Sequence, residues 1–362
     1  MPDTYYFPIP DLKAYVIDYL LRWGVPEDDA RIVADVLVSA DMRGVDSHGV
    51  IRLKSYYGSR IAARRLDPQA PLSVVRESPT SLAMDANNGL GHPAGVKTMH
   101  RCIEKAQQSG ICFATVRNSN HYGIAGYYAM MALEKDMIGV SFTNSGPLVA
   151  PTYGKKAILG TNPIAVAVPA GTSRPYVLDM ATSIVPIGRV TVYQKNNKPI
   201  PPGWGIDSEG RVTEDPTSVI EGGALMPLGG IDLMRGYKGY GLALLVDIFS
   251  GVLAGSGFAE NVGNANEGST ARVGHFFAAI RIDTFRDPQE FKQDMDALLD
   301  DLRNSPKAAD EERIFIHGEK EFEKAERAQS DGVPISAATY KILKTAGEED
   351  GVPFELTPVK VE

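Results

Sequence analysis

Cysteine and tryptophan are scarce, two of each in 362 residues. Cys102 and Cys112 are too few and too isolated to form a disulfide scaffold or a multidentate cysteine–metal motif. Long apolar runs are also missing, which leaves no transmembrane segment. The first residues lack the basic start, apolar core and cleavage site of a secretion leader, so a cytoplasmic protein is expected. Positive charge is in deficit, with 37 Lys and Arg against 45 Asp and Glu and a formal net charge of -8. Nucleic acid is therefore not an expected partner, and an anionic ligand needs local cations or backbone donors. No HExxH run, serine elbow or clustered zinc signature occurs, and no metal is expected from the spacing. Short repeats and low-complexity tracts are absent, which argues against a solenoid.

What is present is a globular composition, 43% hydrophobic and 23% charged, in a chain long enough for two or three packed units. Leu12, Tyr15, Val16, Tyr19 and Leu20 recur with helical spacing before Gly24. Ile32, Val33, Val36, Leu37 and Ala40 do so before Gly44. From Thr80 the pattern changes to strand-like and helix-like runs in alternation: TSLAMD, AGVKTMHRCIEKAQQ, ICFATVR, GIAGYYAMMALEKD and IGVSFT. That alternation predicts an α/β core. NPIAVAVP and RPYVLDM read as buried strands, and PPGWGIDSEG as an exposed connection. YGLALLVDIFSGVLAG reads as a buried helix in which Asp247 needs a polar partner or an exposed angle. VGHFFAAIRID predicts a strand and PQEFKQDMDALLDDLR a helix, with final helices beginning near Gly318 and Ile335 and SDGVP between them.

Several clusters could carry chemistry. In ADMRGVDSHGVIRL, His48 suits proton exchange near neutral pH, Arg52 suits a carboxylate, and Ser47 can orient either the substrate or His48. The same residues could simply finish a helix. VRNSNHYGIAG offers His121, as an acid–base group or as a packed histidine beside a turn built by Asn118, Ser119 and Asn120. Ser145, Thr161 and Asn162 sit at turns beside apolar runs, where a flat cofactor or plain loop closure would both use them. In LDMATS, Asp179 and Thr182 precede Arg189, which could attract phosphate or pair with Asp179. Lys238, between glycines at the start of a long apolar helix, can reach an anion or cap the helix. GLGHPAG has the wrong third interval for a dinucleotide fingerprint, and a structural turn is the better reading.

Taken together, ADMRGVDSHGVIRL, VRNSNHYGIAG, GTNPIAVAVP, LDMATS and YKGYGLALLVD resemble the type 2 malate/L-lactate dehydrogenase family, whose members also include ureidoglycolate dehydrogenases. The resemblance covers most of the chain. It implies oxidation of a 2-hydroxy acid to a 2-keto acid, or the reverse, with NAD or NADP, and favours malate over L-lactate. It implies an unusual mixed α/β nicotinamide-binding fold, distinct from the Rossmann arrangement, with a separate helical part. On this chain that gives a helical part over 1–75, a mixed α/β domain over 76–285, and a C-terminal helical part over 286–362 that packs with the first. It also implies a homodimer whose interface closes the clefts. By the same resemblance His121 is the proton acceptor, His48 fixes the substrate oxygen or relays a proton, Arg52 holds the carboxylate and Ser47 supports them. Ser145, Thr161, Asn162, Asp179, Thr182, Arg189 and Lys238, with His121, fall in the coenzyme-contacting segments. Arg189 stands where the family more commonly carries lysine. A 2-keto-acid sensor without turnover and a metal-dependent lyase are the competing readings.

Overall fold

The computed structural model describes residues 3–263 and 270–362. A short strand, β1 (Thr4–Phe7), precedes the helices α1 (Ile9–Arg22) and α2 (Glu27–Met42), which lie where the apolar spacing predicts them. Leu12, Tyr15, Val16, Tyr19 and Leu20 are the buried side of α1. Gly24 and Gly44, at φ +77° and +74°, follow the two helices in the left-handed conformation that ends them without a Cβ penalty. A π-helical stretch, Leu53–Gly58, then runs into α3 (Ser59–Ala62).

The middle of the chain continues with β2 (Ser73–Ser78), β3 (Ser81–Asp85), α4 (Gly91–Ser109), β4 (Ile111–Ser119) and α5 (Ala125–Met131). It goes on through β5 (Met137–Thr143), β6 (Ile164–Val168), β7 (Tyr176–Met180) and α6 (Ile187–Lys195). A small three-stranded unit holds β8 (Gly205–Ile206), β9 (Val212–Thr213), α7 (Pro216–Ile220) and β10 (Ala224–Leu225). Then come α8 (Tyr237–Asp247), β11 (Val273–Arg281), α9 (Pro288–Asn304), α10 (Glu319–Asp331), β12 (Val333–Ser336), α11 (Ala337–Asp350) and β13 (Lys360–Val361).

The main sheet is mixed, as the resemblance implies, with strand order β2-β3-β4-β11-β5-β6-β7. β3 and β4 pair in parallel; β11 pairs antiparallel with both β4 and β5. β6 is antiparallel to β5 and β7 to β6. Consequently β3, β4, β5 and β7 all end at one edge of the sheet, and β6 and β11 begin there. Turns as far apart in sequence as 86–91, 120–124, 144–146, 160–163 and 181–183 therefore meet along that edge.

Two large cores hold the main sheet and the chain ends. One packs α4 and α5 onto the sheet through Met99, Cys102, Tyr128, Ala129 and Phe277. The second joins both ends of the chain: Phe7, Leu12, Val16 and Leu37 pack with Val333, Ile335, Leu343 and Phe354. β1 is hydrogen-bonded between β12 and β13, so the terminal unit contains a sheet as well as helices. That sheet was not legible in sequence, because TYYF and VPIS are four-residue strands without a distinctive alternation. α9 instead docks on the sheet domain, where Asp296 accepts from the backbone N–H groups of Gly171, Thr172 and Ser173.

Two further expectations need correction. PPGWGIDSEG lies outside the main sheet, but Gly205 and Ile206 within it are buried as β8. The apolar run expected as a buried helix is helical, yet α8 buries only Gly239, Ala243, Val246 and Asp247. Leu242, Leu245 and Ile248 are partly exposed, and Val252 and Leu253 stand 57% and 61% exposed. The helix is apolar all round, and one chain covers one side of it. Asp247 does find the partners it needs: Asn144 Nδ2 donates to it at 3.0 Å and the Ala259 N–H at 2.8 Å.

Candidate active site

α2 ends in a buried carboxylate that shapes the SHG corner. Asp41 accepts from the Val50 N–H at 2.8 Å, and burial raises its pKa well above the usual carboxylate range. A Cβ on Gly49 would overlap that carboxylate, so the glycine is required by packing. The tight turn over Asp46–His48 leaves Ser47 Oγ 2.9 Å from His48 Nδ1. Arg52 donates through Nε to the Ser47 carbonyl at 2.7 Å, which secures its stem and leaves its terminal nitrogens without an ion pair among the described residues.

His121 lies just beyond β4, and the His48 and His121 rings stack with centroids 5.3 Å apart. Tyr57 Oη is 2.7 Å from His121 Nδ1 and 3.1 Å from His92 Nε2. His121 Nε2 has no hydrogen-bond partner among the described residues, and it is not among the buried unpaired atoms. It is the ring nitrogen that a ligand can reach. Burial lowers the pKa of His121 well below the usual histidine value, with His48 and Arg52 adding to the effect. Burial and Arg52 together bring His48 down to about 4. Both rings are neutral at pH 7, the state a proton acceptor requires.

β4, β11 and β5 are cross-linked behind this pair. His275 lies 2.8 Å from both Ser119 Oγ and Thr143 Oγ1, and Tyr122 stacks on its ring at 4.4 Å. The chain is thereby held rigid on both sides of His121.

The second cluster occupies the same sheet edge. Ser145 Oγ accepts from the Thr161 N–H at 3.1 Å, and Asn162 Oδ1 accepts from the Ser145 N–H at 3.2 Å. Thr182 Oγ1 donates to the Thr161 and Asn162 carbonyls. Asn162 Nδ2 donates to the Ala243 carbonyl of α8 at 2.9 Å. Asn162 and Thr182 are fully buried and hold these segments together, whereas Ser145 and Thr161 retain exposure. Asp179 accepts from the Gly126 N–H at 2.7 Å, at the start of α5. The residue keeps exposure at the sheet edge, but its carboxylate is surrounded by protein, and that burial pushes its pKa up to about 6. The alternative ion pair with Arg189 does not form. Arg189 is exposed, its guanidinium 5.7 Å from the Tyr193 ring. Lys238 is exposed in the first turn of α8, next to Gly239, where a Cβ would strike the Leu228 backbone. The Leu228 N–H in turn donates to the Thr182 carbonyl, so Lys238 adjoins the Thr182 segment.

The glycines of GLGHPAG serve packing, as the sequence reading favours. A Cβ on Gly91 would stand 2.6 Å from the His121 carbonyl oxygen and closer still to that of Asn120. α4 begins against the backbone that carries His121. Tyr57, His92 and Asp41 were missed by the sequence reading. A tyrosine in a mixed apolar run, a histidine beside proline and an aspartate on a helix carry no spacing signal; only their convergence does.

The comparisons with known proteins bear on the whole chain and its fold. The family model described as malate/L-lactate dehydrogenase matches residues 7–344. The chain belongs to that family. It is 48% identical to the malate dehydrogenase of Pyrococcus abyssi over 97% of both chains, and 38% identical to the L-sulfolactate dehydrogenase of Methanocaldococcus jannaschii over 95% of this chain and 96% of that one. The solved malate dehydrogenase of Pyrococcus horikoshii superposes with a TM-score of 0.88 at 44% identity, covering 96% of each chain. The motif resemblance is thus borne out over nearly the whole length. Family membership also accounts for a dehydrogenase without a Rossmann phosphate loop.

Proposed function

We propose that this protein is an NAD(P)-dependent 2-hydroxy-acid dehydrogenase with malate as its preferred substrate, L-lactate and ureidoglycolate being the alternatives. One observation carries the reading: the His121 ring is fixed through Nδ1 and reachable at Nε2, beside His48 and the anion-binding Arg52. The donor set fits a nicotinamide coenzyme. Arg189 and Lys238 are exposed cations without an ion pair among the described residues, suited to phosphate, while Ser145 and Thr161 supply hydroxyls at the strand ends. NAD is favoured, with NADP as the alternative.

A bound nicotinamide supplies the hydride acceptor at C4. Arg52 would grip the substrate carboxylate and His48 hold the hydroxyl oxygen, while His121 takes the hydroxyl proton at Nε2 as the substrate carbon that bears the hydroxyl gives up its hydride and becomes the keto carbon. Fixed rings and a clamped carboxylate contribute mainly by orientation. The reaction as written needs no metal.

We also propose that two copies pair through the uncovered side of α8 and the residues after it, where Leu242, Leu245, Ile248, Val252 and Leu253 form an apolar surface. α8 borders the coenzyme segments through Asn162, so such pairing would close the clefts. Cytoplasmic residence belongs to the same reading; Cys102 and Cys112 are both buried and unbonded.

The decisive experiment is an activity matrix of both coenzymes against malate, L-lactate, L-sulfolactate and ureidoglycolate, followed by His121→Asn with the best pair. Coenzyme reduction that depends on His121 is expected. Binding of 2-keto acids without any turnover would replace the enzyme by a sensor.

A further inference from the structure

Behind the proposed proton acceptor lies a buried hydrogen-bonded chain. Tyr57 and His92 are both fully buried, Tyr57 in the π-helical stretch and His92 in the first turn of α4. The Tyr57 hydroxyl sits between His121 Nδ1 at 2.7 Å and His92 Nε2 at 3.1 Å. Among the described residues no carboxylate hydrogen-bonds to His121. The titratable and charged groups around it are His48, Arg52, His92, His275 and the phenols of Tyr56 and Tyr57. The phenol thus occupies the place at Nδ1 that a carboxylate takes in many acid–base histidines.

We propose that Tyr57, backed by His92, is a positioning residue that sets the orientation and tautomer of His121. The inference rests on the reading of His121 as proton acceptor. The Tyr57 hydroxyl has one hydrogen and two histidine neighbours. If that hydrogen goes to His121 Nδ1, then His92 must donate its Nε2–H to the phenol oxygen, and His121 carries its own hydrogen on Nε2. If it goes to His92 Nε2, then His121 donates from Nδ1, its Nε2 lone pair is open, and His92 carries its hydrogen on Nδ1. The two rings therefore always hold their hydrogens on the same-named nitrogen.

The coenzyme-free protein rests in the first arrangement. The Gly123 N–H points at His121 Nδ1 at 3.3 Å, which requires an acceptor there. His92 Nδ1 is buried without a partner, and an unpaired acceptor is more readily tolerated than an unpaired N–H. The first arrangement offers His121 Nε2–H to a keto oxygen; the second opens Nε2 to a hydroxyl proton, and reaching it takes one proton from His121 Nε2 to solvent, passes one along Tyr57 and adds one at His92 Nδ1. When the hydroxyl proton arrives at Nε2, the Nδ1–H of the resulting imidazolium stays paired with the phenol oxygen.

The test combines kinetics with 15N NMR of histidine-labelled, coenzyme-free protein, in which six histidines give a tractable spectrum. In the wild type His121 and His92 are expected both to be protonated on Nε2, and opposite tautomers would overturn the proposal. Tyr57→Phe removes one oxygen from a packed site. It is expected to lower kcat about 10- to 100-fold, the loss of one hydrogen bond to a charged group, with KM for the acid little changed. The acidic limb of its kcat profile is expected at lower pH, because the imidazolium has lost its acceptor. His92→Gln, whose amide can both donate and accept, should recover part of the rate that His92→Leu loses. Unchanged kcat and pH profile in Tyr57→Phe, with His121→Asn inactive, would refute the positioning role alone. Normal turnover in His121→Asn would remove the proton-acceptor reading beneath it. Should Tyr57→Phe fail to fold, the wild-type tautomers and the His92 pair still decide.

Discussion

Gly91→Ala tests how the fold sets the site. The added methyl would stand 2.6 Å from the His121 carbonyl oxygen and closer to that of Asn120, where an unstrained carbon–oxygen contact needs roughly 3.3 Å. Neither atom belongs to a flexible side chain, so α4 and the 120–121 backbone must separate by about 1 Å. Overpacking of this kind typically destabilises by about 1–3 kcal/mol, or a few degrees in Tm. The larger effect falls on catalysis. Displacement of an aligned group by about 1 Å can lower the rate on the order of 100-fold. Steady-state kinetics and a thermal melt on the same preparation separate the possibilities. Lower kcat, a modest fall in Tm and an unchanged KM for coenzyme are expected. A raised KM for coenzyme with normal kcat would mean that GLGHPAG is a phosphate loop after all, and wild-type behaviour in every respect would refute the packing argument.

Arg52→Gln is expected to raise KM for the acid about 10- to 100-fold, the loss of a charge-assisted contact, with a smaller change in kcat; equal KM values would remove Arg52 from the carboxylate. Leu253→Asp, at an exposed position beyond α8, should shift the protein toward monomer in sedimentation velocity, and an unaltered oligomeric state would place the interface elsewhere. Acidification should destabilise the fold. His92 and His275 are fully buried, and burial holds their pKa values at about 3, below the unfolded value near 6.5. The unfolded chain therefore binds protons first as pH falls. Stability present above pH 6.5 is lost toward pH 3, about 2 kcal/mol per histidine by pH 5. Asp41, with its raised pKa, acts in the opposite sense. A Tm that is flat or rising from pH 7 to 5 would show that the carboxylates outweigh the histidines.

The sequence by itself determined the elements whose physics is local. α1 and α2 follow from apolar spacing, and β3, β4, β5, β6, β7 and β11 from short β-rich runs between turn residues. It also marked His48, Arg52 and His121 as groups able to exchange protons or bind an anion, and the motifs around them carried the family resemblance. Their partners were beyond its reach. Tyr57, His92 and His121 come from three separate elements, and single-chain spacing does not encode a contact between them. The same holds for β1 and β12, which pair across 325 residues of intervening chain. Asn162 and Thr182, expected in the coenzyme-contacting segments, are buried and hydrogen-bonded to the backbone of those segments, which only the tertiary structure shows. Side-chain chemistry is written residue by residue, whereas the edge on which seven strands bring these residues together is decided by long-range pairing and packing, and that edge turns a set of suitable groups into a site.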